Sequence, residues 1–186
     1  MGCGKSSVGK ILATLLPECR LIDLDTYIEE KQGKNIPEIF NEYGEAAFRR
    51  MEREALEEIF SDKSRPRAIL SLGGGTVTSE QCRQLIRQHT DCFYLRATTD
   101  TLLDNLEGHS DGRPMLNPTQ PVEAPSTEVS NEREALRHRI ESLMQTRSPQ
   151  YQSTAHHTID IDGHTAAQIA EIIKEAVETN TLNIKR

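Results

Sequence analysis

Three clusters of residues in this chain have the types and spacing to do chemistry. Gly2-Cys3-Gly4-Lys5-Ser6-Ser7 stands at the start, Asp23 and Asp25 close a short apolar run, and Gly73-Gly74-Gly75 follow another. Gly4-Lys5-Ser6 is the end of G-x-x-x-x-G-K-[ST]. In that loop backbone N–H groups cradle phosphates, the Lys reaches the terminal phosphates and the hydroxyl meets Mg²⁺. The same residues also suit a second chemistry. Met1-Gly2 followed by Ser6 fits the N-myristoylation pattern, and Cys3 could take a further acyl chain. The residues that follow favour the phosphate cradle. Val8, Ile11, Leu12, Leu15 and Leu16 recur at helical spacing with no linker, which sets a packed helix directly behind Lys5. A Mg²⁺-ligating Ser also wants a carboxylate at a neighbouring strand end, and Asp23 is placed for it.

Positioning these groups requires strands that end where the chemistry begins. The apolar run over 20–25 and the runs over 68–72, 92–95 and 157–161 predict four strands. Helices are expected over 6–16, 26–31, from Asn35 with an interruption at Gly44, over 45–60, from a Ser79 cap to 88, and over 99–106, 132–145 and 165–178. Between Gly108 and Asn131 apolar residues are few and four prolines occur, a composition expected of a long loop or lid. From Thr179 the chain is polar and is expected to fray. Strands alternating with helices imply a three-layer α/β/α arrangement around a parallel sheet, with ligands beyond the carboxyl ends of the strands.

Composition narrows the partners. The chain has 186 residues, 35% hydrophobic and 27% charged, enough for one domain with a sizeable core. A net charge of −7 and the absence of Trp argue against nucleic acid and anionic membranes. No run of about 18 apolar residues exists to span a bilayer. Cys3, Cys19, Cys82 and Cys92 are too widely spaced for a zinc site, so free thiols in the cytoplasm are expected. His156 and His157 are adjacent, point to opposite sides of a strand and lack a third metal ligand, so they read as structural.

GKSSVGK, LIDLDTYIEE, NIPEIFNEYGEAAFRRME, LSLGGGTV, GRPML and LMQTRSPQY follow one another along nearly the whole chain. Together they resemble the shikimate kinases, small P-loop relatives of the nucleoside monophosphate kinases. D-x-D, F-R-R-x-E and L-G-G-G with the later R-P and R-x-P-x-Y carry the likeness. The resemblance implies a P-loop kinase domain over 1–178, with a helical substrate-binding part at about 26–60, a lid at about 108–131 and a polar tail over 179–186. It implies ATP as phosphoryl donor, shikimate as acceptor, Mg²⁺ as cofactor, and a cytoplasmic monomer with no nucleic-acid or membrane partner.

Residue roles follow from the same likeness. Gly2, Cys3, Gly4, Lys5, Ser6 and Ser7 would cradle the nucleotide phosphates, Ser6 would ligate Mg²⁺ and Asp23 would hold a metal-bound water. Asp25, on the face it would share with Asp23 if the strand continues, would contact the reacting hydroxyl. Arg49 and Arg147 would bind the substrate carboxylate in planar, bidentate fashion. Glu52, three residues beyond Arg49, could hold it in place, and Arg50 is the competing choice, read as a surface ion pair. The backbone of Gly73, Gly74 and Gly75 would approach the substrate, and Arg113 would come down on the transferring phosphate. His164 would lie near the adenine.

The resemblance leaves some differences. Its members begin with a strand and a first loop glycine that have no counterpart in these residues, so a reading frame starting about ten residues upstream is expected. Leu106-Glu107 stands where many relatives carry an Arg. Gluconate kinase is a rival within the class. A non-catalytic nucleotide-binding P-loop protein is a rival outside it.

Overall fold

The computed structural model describes residues 2–62, 67–106 and 130–184, the side chains of 130–132 and 180–184 excepted. Helix α1 spans Lys5–Leu15 and strand β1 Arg20–Asp23, followed by α2, Leu24–Gln32, and α3, Ile36–Ser61. Strand β2, Ala68–Ser71, leads through the glycines into a 3-10 turn at Thr76–Thr78 and α4, Glu80–His89. Strand β3, Phe93–Arg96, precedes α5, Thr99–Leu106. Helix α6, Ser130–Thr154, strand β4, His157–Asp160, and helix α7, Ala166–Ile184, complete the described chain.

Each end has a local cause. The Asn35 side chain accepts from the Glu38 N–H while the Glu38 carboxylate accepts from the Asn35 N–H, a reciprocal cap that starts α3. Gly44, at φ 76° and ψ 169°, breaks that helix into two arms. Ser79 caps α4 by accepting from Cys82 N–H. Pro149 lies inside α6, where the missing N–H and the ring clash ordinarily cost about 3 kcal/mol.

Three boundaries differ from expectation. β1 stops at Asp23, so Asp25 is not on a strand. The Asp23 side chain accepts from the N–H groups of Asp25 and Thr26 and thereby caps α2, which puts Asp25 in that helix's first turn. α6 runs through Arg147 and Pro149 to Thr154 instead of ending at 145, because Ile140 at its core face is fully buried and Tyr151 is anchored further along. α7 runs to Ile184, past 178.

β1 pairs with β2 in parallel, Asp23 opposite Ser71, and β3 pairs with β4 in parallel, Phe93 opposite His157. β2 and β3 do not pair with one another. A slot of about 630 Å³ runs between them, lined by all of β2, by Phe93, Tyr94 and Leu95, by Val8 and Leu12 of α1, and by Leu16 just after it. Two cores flank it. One gathers Val8, Leu12, Leu95, Leu103, Ile140 and Ile169. The other gathers Ile22, Leu24, Ile39, Phe48, Leu56 and Ile86. The carboxyl ends of β1 and β2 leave this frame at Asp23 and at the glycine triplet, the two places where chemistry was expected.

Candidate active site

The first turn of α1 presents free N–H groups. Gly4 sits at its N-terminus in the left-handed region, φ 73°, ψ 20°, with no side-chain cap and no acidic residue in the first turn. The uncapped end therefore carries partial positive charge and suits an anion. Gly2 is also left-handed, and a Cβ there would come within 2.9 Å of the buried Leu106 side chain. Lys5 Nζ donates to Cys3 Sγ at 3.6 Å. Burial is the largest influence and pushes the Cys3 thiol up, but the Lys5 charge, the Lys5 hydrogen bond and smaller lowering effects together outweigh it and bring the group to about 7.

Ser6 Oγ donates to Asp23 Oδ2 at 3.2 Å. A hydroxyl and a carboxylate joined in this way, Ser6 exposed and Asp23 half-buried, are the hard oxygen donors that Mg²⁺ accepts when it keeps most of its waters. Among the described residues no cluster of three His, Cys, Asp or Glu could hold a metal by itself. The donor set thus fits an ion that arrives with a phosphate ligand. Ser7 is exposed on the same turn.

Asp25 lies beside the turn that follows β2. A Cβ on Gly73 would stand 2.9 Å from its Oδ1, so only glycine lets the β2 turn lie against this carboxyl. Burial, then Asp23, then Glu52 push its pKa up to about 6, against the opposing pull of Lys5. A carboxylate held near 6 can take up a proton late in a reaction near neutrality.

Glu52 organises the next ring of contacts. It is fully buried, accepts from Arg49 Nη1 at 2.7 Å and from Thr76 Oγ1 at 2.5 Å, and lies beside Gly73. Arg49 also donates to Glu45 Oε1 at 2.8 Å, an exposed partner. A Cβ on Gly75 would meet the Arg49 guanidinium at 2.2 Å, so that side chain fills the space the glycine leaves open. Arg49 Nε is buried with no hydrogen-bond partner among the described residues, so the guanidinium has a donor to spare. Arg50 is exposed and makes no ion pair among the described residues.

Arg147 approaches from α6 and is 7% exposed. One turn later Tyr151 donates to Gly74 O at 2.5 Å. Asp25, Arg49 and the Arg147 helix therefore all meet the Gly73–Gly75 turn, and Lys5 is close enough to influence both Asp25 and Tyr151. Arg113 and nearly all of 108–131 lie outside the described residues.

Other expected residues take structural positions. His156 Nδ1 accepts from Cys92 N–H at 3.0 Å, and His157 Nε2 meets Asp91 Oδ1 at 2.8 Å while its ring stacks on Phe93. His164 contacts Asp162 O at 3.0 Å, after Gly163 in a left-handed turn. The four cysteines are free. No described helix is long and apolar enough to cross a membrane. Thr76 and Tyr151 are the site residues that sequence reasoning missed. R-x-P-x-Y put Tyr151 one helical turn past Arg147, a usable signal. Nothing in the sequence pointed to Thr76.

A P-loop at a helix start, a carboxylate pair after β1 and a glycine turn after β2 define a P-loop kinase of the nucleoside monophosphate kinase type, and solved structures of that fold superpose on this one. The family model for shikimate kinase matches residues 1–178, and the chain belongs to that family. A shikimate kinase of Thermus thermophilus is 35% identical over 178 residues, covering 96% of this chain and 84% of the relative. One of Chlorobaculum parvum is 35% identical over 185 residues, covering 100% and 92%. The structure of shikimate kinase from Acinetobacter baumannii in complex with shikimate aligns with a TM-score of 0.78 at 32% identity, covering 98% of this chain and 90% of that one.

Proposed function

We propose that this chain is a shikimate kinase in the working sense: it transfers the γ-phosphoryl group of ATP to the 3-hydroxyl of shikimate, giving ADP and shikimate 3-phosphate. It acts as a cytoplasmic monomer in the route to aromatic amino acids. The observation that carries this reading is the meeting of Asp25, with its raised pKa, and the Arg49 guanidinium on one glycine turn beside the P-loop.

The steps in this reading are as follows. The N–H groups from Gly2 to Ser7, with Lys5, bind the β- and γ-phosphates at the α1 terminus. Ser6 and Asp23 would hold Mg²⁺. When bound, that ion neutralises phosphate charge and orients the β- and γ-oxygens. Arg49 and Arg147 fix the substrate carboxylate, and the Gly73–Gly75 backbone lets the ring come close. Asp25 orients the hydroxyl. Its oxygen bonds to the γ-phosphorus, the bond to the bridging oxygen breaks, ADP leaves with that electron pair, and the proton passes to the Asp25 carboxylate. Arg113 supplies positive charge to the transferring group. Most of the acceleration comes from positioning and charge, as is general for phosphoryl transfer.

An ADP-release assay with saturating Mg²⁺-ATP tests the reading, run with shikimate and with gluconate. Turnover with shikimate alone is expected. Turnover with gluconate alone would move the chain to the rival small-molecule kinase, and tight ATP binding with no product from either would make it a nucleotide-binding protein.

A further inference from the structure

Tyr151 belongs to none of the roles assigned above, yet it sits at the centre of the site. Its hydroxyl donates to Gly74 O, and its ring stacks on Tyr94 of β3 at 5.2 Å between centroids and 27° between planes. The stack fixes the ring, and the ring fixes where the hydroxyl can reach. Arg147 lies one turn earlier on α6, close enough to act on the Tyr151 hydroxyl. One aromatic side chain thus joins three elements: β3, the helix of Arg147 and the turn after β2.

The Gly74 carbonyl needs such an anchor. The neighbouring carbonyls are held inside the turn, because Thr76 N–H donates to Gly73 O at 3.3 Å and Thr78 N–H and Oγ1 donate to Gly75 O at 3.0 and 2.7 Å. Among the described residues, Tyr151 is the only hydrogen-bond donor to Gly74 O. A peptide between two glycines can rotate about its flanking bonds with little steric resistance. The peptide is planar and trans, so whatever fixes the Gly74 carbonyl also fixes the Gly75 N–H on the opposite side of the same plane. The Arg49 guanidinium occupies the space where a Cβ on Gly75 would stand.

We infer that Tyr151 is a positioning residue for substrate recognition: by holding the Gly74 carbonyl it sets the Gly74–Gly75 peptide plane, and it ties that plane to the helix carrying Arg147. The two halves of the acceptor subsite, the glycine backbone and the Arg147 guanidinium, are then held in one register. The inference rests on the proposed acceptor site but makes a claim about the turn that can be read without it.

The variant Tyr151→Phe keeps the stacking ring and removes only the hydroxyl. Calorimetric titration with shikimate and with Mg²⁺-ADP, steady-state kinetics and amide NMR spectra of the Gly73–Gly75 region test it together. A tenfold weaker shikimate affinity, with a matching rise in KM, is expected. Mg²⁺-ADP affinity and melting temperature should stay within twofold and about 2 °C. The glycine amides should broaden or split in the variant and sharpen again when shikimate is added. Unchanged glycine amides with unchanged shikimate affinity would overturn the inference. So would a loss confined to Mg²⁺-ADP, which would place the hydroxyl's work on Lys5. If wild-type protein neither binds nor turns over shikimate, the functional reading fails. The glycine amides of the two proteins then still decide whether Tyr151 sets the turn.

Discussion

Replacing Asp25 by Asn should make the protein more stable and nearly inactive at once. The carboxyl makes no side-chain hydrogen bond among the described residues, and burial with Asp23 and Glu52 raises its pKa from an ordinary 3.8 to about 6. The ionised form is therefore disfavoured in the native state. Between those two values the unfolded chain releases its proton first, so native stability falls as pH rises through the interval and the full cost is present above about pH 6. At about 1.4 kcal/mol per pH unit the interval is worth about 3 kcal/mol at most. Water at the cleft face reduces that to roughly 1–2 kcal/mol. In a chain of this size such a gain raises Tm by about 3–6 °C. The neutral amide cannot accept the hydroxyl proton, so kcat should fall by about 10²–10⁴. Calorimetric melting at pH 7.5 and at pH 4, with ADP-release kinetics at pH 7.5, reads both effects. The Tm gain should be present at pH 7.5 and absent at pH 4. A lower Tm at pH 7.5 would mean that the carboxylate is favourably solvated or paired, and wild-type turnover would remove Asp25 from the chemistry.

Two further outcomes are expected. In wild-type protein kcat/KM for shikimate should fall on the acid side with a midpoint near pH 6, to about a tenth of its plateau at pH 5; a flat profile to pH 5 would contradict the Asp25 assignment. Arg147→Ala should raise the shikimate KM by about 10- to 100-fold, the loss of roughly 1.5–3 kcal/mol expected of a charge-assisted hydrogen bond, with the ATP KM unchanged; an unaltered shikimate KM would take Arg147 out of the site.

Much of the candidate site's placement was legible because it is built from short motifs at element ends. Lys5, Ser6, Asp23 and the glycine triplet need only a strand or helix boundary to place them, and composition marks such boundaries. The errors came where side chains act on backbone. Asp23 reads as the tail of an apolar run, but its carboxylate caps α2 and moves Asp25 from strand to helix. The helix expected over 132–145 runs on through Pro149, because tertiary contacts on either side of it outweigh the local cost. Glu52 was legible only as a neighbour of Arg49 on the helix. Its contacts with Thr76 and Gly73 join residues far apart in sequence, and no spacing rule reaches them. The Tyr151 bond to Gly74 is of the same kind. Arg113 shows the opposite case: the motif names it, but it lies outside the described residues.

The most direct test of the account is phosphorus NMR of the protein mixed with Mg²⁺-ATP and shikimate. The γ-phosphate resonance is expected to disappear as one phosphomonoester resonance grows in equal amount, coupled to the proton on C3 of shikimate. Inorganic phosphate in place of the ester, or an unchanged ATP spectrum in a sample that binds ATP, would contradict it.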